Sequence, residues 1–115
     1  SIKPLEQLHN DIPQINTQLL SSLTGTFDLI INATSAVFSK DNPVFSGQLI
    51  EQAAFCYDLA YGYKEPTSFV LHAKNLGCHA IDGFGMLVEQ AAESFFLWHH
   101  IRPQTPCFTL YEMLL

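Results

Sequence analysis

The run Leu29-Ile30-Ile31 limits most strongly how this chain can fold. Consecutive residues of a strand point to opposite faces of the sheet, so this run is apolar on both faces. Strands of that kind are typical of parallel sheets that carry helices on both sides. We therefore predict a strand over 27–32 that is covered on both faces, with Gly25 in the turn before it.

The rest of the chain alternates helical and strand patterns. The clearest helix starts at Pro66 and Thr67, carries an apolar stripe of Phe69, Ala73 and Leu76, and is followed by Gly77 as a C-cap. Strand-helix alternation predicts an α/β fold with a parallel sheet. The other predicted elements are short helical segments over 4–8, 16–23 and 48–52, strands over 54–59 and 78–81, a long helix over 85–98 and a last amphipathic helix from 105 or 106 to 115.

Parallel α/β sheets bind ligands outside the carboxyl ends of their strands. The glycines and small polar residues of this chain concentrate where the predicted strands end, at 32–35, 58–61 and 82–85. The sequence therefore predicts a ligand site built from these three strand ends. The long helix adds to this site, because Gly83, Met86 and Gln90 follow a spacing of three and four residues and share one helix face.

Composition excludes several other functions. The chain has 5 basic and 11 acidic residues and no Lys/Arg cluster, so we expect neither nucleic acid nor an anionic membrane as a partner. No apolar run approaches the length of a membrane span, and no basic leader precedes an apolar stretch. Charged residues make up only 14% against 48% hydrophobic, which indicates that part of the apolar surface packs against something outside this sequence.

The cysteines Cys56, Cys78 and Cys107 are odd in number and have no CxxC spacing. We predict free, buried thiols in a reducing compartment, by default the cytoplasm. The best candidate metal cluster is Cys78 and His79 with His72, but adjacent strand residues point to opposite faces. The sequence therefore predicts no metal site.

Three motifs, in order and spacing, resemble those of shikimate dehydrogenases. They are Asn32-Ala33-Thr34-Ser35, Tyr57-Asp58-Leu59-Ala60-Tyr61, and the segment from Asp82-Gly83-Phe84-Gly85-Met86 through Gln90 to Ala92, with Glu65-Pro66-Thr67 before the intervening helix and Phe95, Leu97 and Trp98 later. The resemblance extends over roughly 27–103.

The resemblance implies a partial Rossmann-like, doubly wound sheet with flanking helices. Residues 1–102 would form the C-terminal half of an NADP-binding domain, and 103–115 a helix that packs toward an N-terminal substrate domain. Members of the family use NADPH to reduce 3-dehydroshikimate to shikimate, in the pathway to aromatic amino acids. Their catalytic Lys and Asp lie in the N-terminal domain, and no glycine here begins a G-x-G-x-x-G loop. We therefore expect no catalytic residue in this chain and no activity from it alone.

The resemblance also implies roles for individual residues. A small Gly83 would let the nicotinamide approach the backbone, Met86 would pack on the ring, and Gln90 would bond a substrate hydroxyl. Asp58 and Asp82 are interpreted as structural, with Asp82 bonding amides of its turn. The implied cofactor contacts are Ser1, Asn32, Thr34, Ser35, Leu59, Gly83 and Met86, and the implied substrate contacts are Tyr61 and Gln90.

Some positions depart from the family pattern. Pro4 stands near a position that is often basic, Val37 replaces a common Gly, and Leu59 replaces a common Met. The first of these bears on the contact with the 2′-phosphate of NADP. Since the residues that choose between cofactors lie at or before Ser1, a quinate/shikimate dehydrogenase that uses NAD stays open as an alternative.

A second alternative belongs to a different class, a non-catalytic binding or assembly module. The predicted last helix is apolar and could pair with a second copy to form a homodimer. Its apolar residues are Phe108, Leu110, Leu114 and Leu115.

Overall fold

The computed structural model describes residues 3–35, 46–62 and 64–105. The predicted helix over 105–115, Cys107 and nearly all of the predicted second unit over 103–115 therefore lie outside the described residues, as do Ser1 and Val37. The described elements are α1 (Lys3–Asp11), a 3-10 turn (Leu20–Ser22), β1 (Leu29–Asn32), α2 (Gly47–Glu51), β2 (Phe55–Asp58), α3 (Ser68–Asn75), β3 (His79–Ile81) and α4 (Phe84–His99).

The strands form a three-stranded parallel sheet in the order β1-β2-β3. In register, Asn32 stands opposite Asp58, and Tyr57 stands opposite Ile81. The predicted α/β architecture and the order of its elements are confirmed. Because all strands run the same way, their carboxyl ends meet at one edge of the sheet.

One face of the sheet carries the core. Burying each large apolar side chain here contributes about 1.5–3 kcal/mol. Strands and helices contribute to one continuous cluster made of Ile30, Cys56 and Ala80 from the strands, Leu49 and Ile50 from α2, Phe69, Val70 and Ala73 from α3, and Ala53 and Cys78 from the connections. The thiols of Cys56 and Cys78 are free and buried, as predicted.

The ends of α3 follow the sequence closely. The Thr67 hydroxyl accepts a hydrogen bond from the backbone N–H of Val70 at 3.3 Å and so caps the first turn. After the last turn, Gly77 takes φ 82°, a conformation that costs glycine little and other residues more. The predicted N-cap is confirmed, while the C-cap residue is Leu76 and the predicted Gly77 follows it in the left-handed conformation.

The other face of the sheet differs from the prediction. Leu29 and Ile31 are 51% and 52% exposed, although their strand was predicted to be covered on both faces. Within the described residues, β1 is an edge strand that pairs with β2, and α2 and α3 both pack into the one cluster that contains Ile30. An apolar pattern shows that a face avoids water, but it does not show which element covers it.

Helix α4 also departs from the prediction. The apolar residues Phe95 and Trp98 recur at helical spacing in the helix predicted over 85–98, which predicts a buried stripe, but they are 42% and 76% exposed, and the buried residue of the helix is Ala92. At its far end, Arg102 pairs with Glu93 at 2.7 Å, and its guanidinium lies 4.4 Å from the centre of the Phe96 ring. The 16-residue helix is thus well formed but leaves much of its apolar surface uncovered by the described part of the chain.

Among the described residues, no helix is both long and apolar enough to cross a membrane.

Candidate functional site

The ends of the three strands are hydrogen-bonded to one another. The backbone N–H of Leu59, just after β2, donates to the carbonyl of Asn32 at the end of β1 (2.9 Å). The N–H of Gly83, just before α4, donates to the carbonyl of Ala60 (2.9 Å). The three segments that the sequence predicted as a ligand site therefore lie side by side, at the carboxyl edge of the sheet.

Asp82 holds the third strand end against the second. Its carboxylate accepts from the N–H of Gly62 at 3.0 Å and from the N–H of Phe84 at 3.1 Å. The second of these bonds satisfies a backbone donor in the first turn of α4, which has no partner inside the helix. Asp82 thus bonds the amides of its turn, as the sequence indicated, and it also reaches the loop that follows β2.

Asp58 is the centre of a buried polar network. Its side chain is fully buried, at 0% exposure, and accepts hydrogen bonds from the amide of Asn32 (3.1 Å), the N–H of Ala60 (3.2 Å) and the hydroxyl of Thr67 (2.6 Å). A buried carboxylate is costly unless such donors surround it. The network ties together the end of β1, the loop after β2 and the first turn of α3.

Asn32 lies below the edge. Its side chain is 2% exposed and has partners on both sides, since Nδ2 donates to Asp58 and Oδ1 accepts from both the N–H (3.1 Å) and the hydroxyl (2.7 Å) of Thr34. Its backbone carbonyl is used by Leu59. The structure therefore places the predicted cofactor contact Asn32 behind Thr34, where it supports the edge from inside.

Gly83 is buried for a reason that the sequence did not show. A Cβ built on it would overlap the carbonyl oxygen of Leu59 and come within 2.9 Å of the carbonyl carbon. The missing side chain was interpreted as room for a nicotinamide ring. In the structure, the space of a Cβ is filled by the backbone after β2, so this glycine is needed first for the close approach of two strand ends.

The remaining predicted site residues face outward. Thr34, Ser35 and Gln90 are exposed, and Leu59, Met86 and Tyr61 are 40%, 43% and 48% exposed. The ring of Tyr61 lies 6.3 Å from that of Phe84, tilted by 59°, which places it beside the first turn of α4. Ser1 lies outside the described residues.

The edge thus combines hydroxyl groups, a phenol, an amide and exposed apolar side chains. Such a surface can hold a flat ring against apolar groups and bond hydroxyl groups beside it. Sequence reasoning left out Asp58, Ala60 and Thr67 from the site. The one signal that could have shown Asp58 is its acidic side chain in an otherwise apolar strand, at a position opposite Asn32.

The candidate metal ligands do not converge. Cys78 is buried at 7% exposure, while His79 is exposed on the other face of the sheet. Across 3–35, 46–62 and 64–105 no group of at least three His, Cys, Asp or Glu residues is placed to hold a metal ion.

A parallel sheet with helices packed on it and a ligand edge at the carboxyl ends of its strands is the arrangement of Rossmann-like α/β proteins. Comparison with known proteins identifies the family. Residues 83–108 match the profile of the shikimate 5′-dehydrogenase C-terminal domain. A shikimate dehydrogenase (NADP(+)) of Legionella pneumophila (strain Lens) is 50% identical over 105 residues, which are 91% of this chain and 40% of that protein. A second, of Alkalilimnicola ehrlichii, is 42% identical over 102 residues, which are 88% of this chain and 37% of that protein.

Solved structures agree with this assignment. An Ael1 enzyme from Pseudomonas putida superposes with a TM-score of 0.78 at 34% identity, over 97% of this chain and 42% of that one. A chorismate mutase/shikimate 5-dehydrogenase fusion protein from Clostridium acetobutylicum gives 0.68 at 28% identity, over 87% and 37%. The chain belongs to the shikimate dehydrogenase family and corresponds to its C-terminal part. It spans about 40% of the length of the first relatives it matches.

Proposed function

We propose that this chain forms the C-terminal part of an NADP-dependent oxidoreductase that interconverts 3-dehydroshikimate and shikimate. The observation that carries the proposal is the joined edge of the three strand ends, where Leu59 bonds Asn32 and Gly83 bonds Ala60. The matching relatives are named shikimate dehydrogenase (NADP(+)), which favours NADP over the alternative of NAD. Because the chain spans only about 40% of those relatives, the activity is proposed for the full-length protein that contains it.

The exposed residues of the edge fit one end of the cofactor. Leu59 and Met86 offer apolar side chains that can pack on a nicotinamide ring, and Thr34 and Ser35 offer hydroxyls suited to a ribose. None of the glycines begins a phosphate-binding G-x-G-x-x-G loop. We therefore assign the nicotinamide and ribose end to this segment and the pyrophosphate contacts to the rest of the full-length protein.

The substrate side of the edge is assigned to Tyr61 and Gln90. Tyr61 has an exposed ring and a hydroxyl that can donate or accept, and Gln90 carries an exposed amide that can do both. When bound, NADPH supplies the hydride that reduces the ketone carbon of 3-dehydroshikimate, while the ketone oxygen takes up one proton. The residues of this chain bind and orient the cofactor and the substrate and exclude water from them. The proton is transferred by the Lys and Asp that the family carries in its N-terminal domain.

Steady-state kinetics of the full-length protein test this assignment. Gln90→Ala removes an amide that would bond a substrate hydroxyl, and we expect kcat/KM for shikimate to fall by roughly tenfold to a hundredfold. The matched control is Gln7→Ala in α1, which makes the same chemical change at another exposed position. The assignment is wrong if both variants keep the parent kcat/KM. The broader proposal fails if the full-length protein does not oxidise shikimate with NADP⁺.

A titration on the chain itself gives an independent test. NADPH and shikimate are added separately and together while the backbone amide signals are followed by NMR. We expect shifts centred on Thr34, Leu59, Gly83 and Gln90. Shifts centred instead on α1, which has no buried residue, would contradict the site.

The uncovered surface of α4 supports a proposal about partners. Leu97, Trp98 and Ile101 are 64%, 76% and 65% exposed, and a monomer rarely leaves such side chains together in water. We propose that this surface is covered in the full-length protein or by a second copy in a homodimer. Light scattering of the parent and of Trp98→Lys distinguishes these two possibilities, since the substitution lowers the measured mass only if the parent is a dimer.

The buried free thiols favour a reducing compartment, and we propose the cytoplasm.

A further inference from the structure

We propose that Asp58 is a positioning residue that sets the orientation of Thr34 at the cofactor edge through the side-chain amide of Asn32. The contact between Thr34 and NADP rests on the proposed function. The orientation of Thr34 by Asn32 and Asp58 rests on the geometry alone. Asp58 itself does not reach the edge, because its side chain is fully buried. Its effect must therefore pass through the groups that it bonds.

The donors around Asp58 establish that it acts only as an acceptor. The Thr67 hydroxyl accepts from the N–H of Val70 (3.3 Å), so its own hydrogen is available for Oδ2 of Asp58 at 2.6 Å. The N–H of Ala60 points at Oδ1 from 3.2 Å. An amide beside these oxygens must turn its NH2 group toward them, and Nδ2 of Asn32 does so at 3.1 Å.

This orientation decides what Asn32 presents to Thr34. With Nδ2 directed at Asp58, Oδ1 faces Thr34 and accepts from both its N–H (3.1 Å) and its hydroxyl (2.7 Å). An amide rotated by half a turn would set its NH2 group against the N–H of Thr34 and its oxygen against the carboxylate of Asp58, and neither pair can form a hydrogen bond. The Thr34 hydroxyl therefore donates inward, to Oδ1 of Asn32, and this bond fixes the direction of its hydrogen and the orientation of the side chain at the edge.

The two carboxylate oxygens of Asp58 bond different parts of the structure, which provides an internal control. Oδ1 accepts hydrogen bonds from Asn32 and Ala60 at the edge, and the carbonyl of Ala60 in turn accepts from the N–H of Gly83. Oδ2 accepts a hydrogen bond from the hydroxyl of Thr67 at the start of α3, on the side of the core. Thr67→Val removes a bond of the carboxylate and a helix cap, but leaves the Oδ1 contacts in place. Asp58→Ala removes all of them.

Amide hydrogen exchange of the full-length protein, followed by NMR, is the experiment. The exchange rate of the Thr34 amide is divided by that of the Cys78 amide, which bonds the carbonyl of Ala73 and not a residue of the network, so that a uniform loss of stability cancels. We expect this ratio to rise by roughly tenfold in Asp58→Ala and to stay within about twofold in Thr67→Val. Asp58→Asn can keep its amide oxygen toward Asn32, and we expect it to restore most of the protection.

Affinity for NADP⁺, measured by calorimetry on the same variants, separates the inference from the proposed function. We expect Kd to rise about tenfold in Asp58→Ala and to change little in Thr67→Val. A raised exchange ratio with unchanged Kd supports the positioning and contradicts the cofactor contact of Thr34. Equal exchange ratios in Asp58→Ala and Thr67→Val overturn the positioning, since Asp58 would then matter only for stability.

A measurement on the parent protein covers the case in which Asp58→Ala does not fold. A scalar coupling across the hydrogen bond from the Thr34 N–H to the side-chain carbonyl of Asn32 reports the proposed orientation directly. Its presence, with slow exchange of the Asn32 NH2 protons, supports the inference. A freely rotating Asn32 amide without that coupling overturns it.

Discussion

Replacing Gly83 with alanine should destabilise this protein through a steric clash alone. The backbone of Gly83 has φ −79° and ψ 9°, angles that any L-residue adopts. The added Cβ would overlap the carbonyl oxygen of Leu59 and lie 2.9 Å from its carbonyl carbon and 3.2 Å from the carbonyl oxygen of Asp58. These are backbone atoms held by strand β2, so they cannot move aside as a flexible side chain would.

The magnitude follows from the kind of contact. Overpacking a well-packed site costs typically about 1–3 kcal/mol, and a backbone neighbour places this variant at the upper end, about 3 kcal/mol. Gly77→Ala is the matched control, because nothing lies within 4 Å of its added Cβ but its φ is 82°. There the cost is backbone strain alone, about 1–2 kcal/mol.

Urea unfolding of the two variants beside the parent gives both free energies. We expect Gly83→Ala to lose more stability than Gly77→Ala, and to shift the amide signals of Leu59 and Ala60, whose backbone must move. The reasoning is refuted if Gly83→Ala unfolds at the same urea concentration as the parent, or at a higher concentration than Gly77→Ala. Either result would show that the strand ends are not as close as the structure has them.

Two further predictions concern buried or turn groups. Asp82→Ala leaves the N–H groups of Gly62 and Phe84 without their acceptor, and we expect a loss of about 1–3 kcal/mol in thermal or urea unfolding, with Asp82→Asn losing less. Burial and the hydrogen bond from Cys78 raise the pKa of Cys56 from 9.0 to about 12. Above about pH 9 the unfolded chain loses this proton while the folded chain keeps it, so stability should fall as the pH rises from 9 toward 12. A Cys56→Ala variant should lose that part of the pH dependence, and a parent protein whose stability is flat over this range would contradict it.

Which parts of the fold could be predicted depends on how local their causes are. Helix α3 was predicted at both ends, because its start depends on a hydroxyl that bonds an amide of the same turn and its end on Gly77 at φ 82°. The parallel direction of the strands was predicted because helical patterns separate the strands along the chain. The predicted burial of β1 on both faces was wrong, because Leu29 and Ile31 need a partner that the local pattern does not name.

The candidate site likewise has features that the sequence predicted and features that it did not. Its three segments could be predicted from small and polar residues at the ends of strands, and the family was identified from the same motifs. The positions of individual side chains could not. Asn32 was interpreted as a cofactor contact, which stays a prediction, and the sequence did not show that its side chain is buried on the face of Ile30, where it bonds Asp58. Gly83 was interpreted as room for a ligand, which stays a prediction, and the structure adds that the backbone of Leu59 occupies the space of a Cβ there.

The sequence by itself determined the order of strands and helices, the three segments that meet at the carboxyl edge of the sheet and the family to which the chain belongs. These depend on periodicity, on caps and turns, and on motifs, all of which act over a few residues. Only the tertiary structure decided that Asp58 holds Asn32, that Asn32 holds Thr34, and that Gly83 lies against Leu59. Those contacts join residues that are distant in the chain, and their geometry is set by how strands and helices pack together.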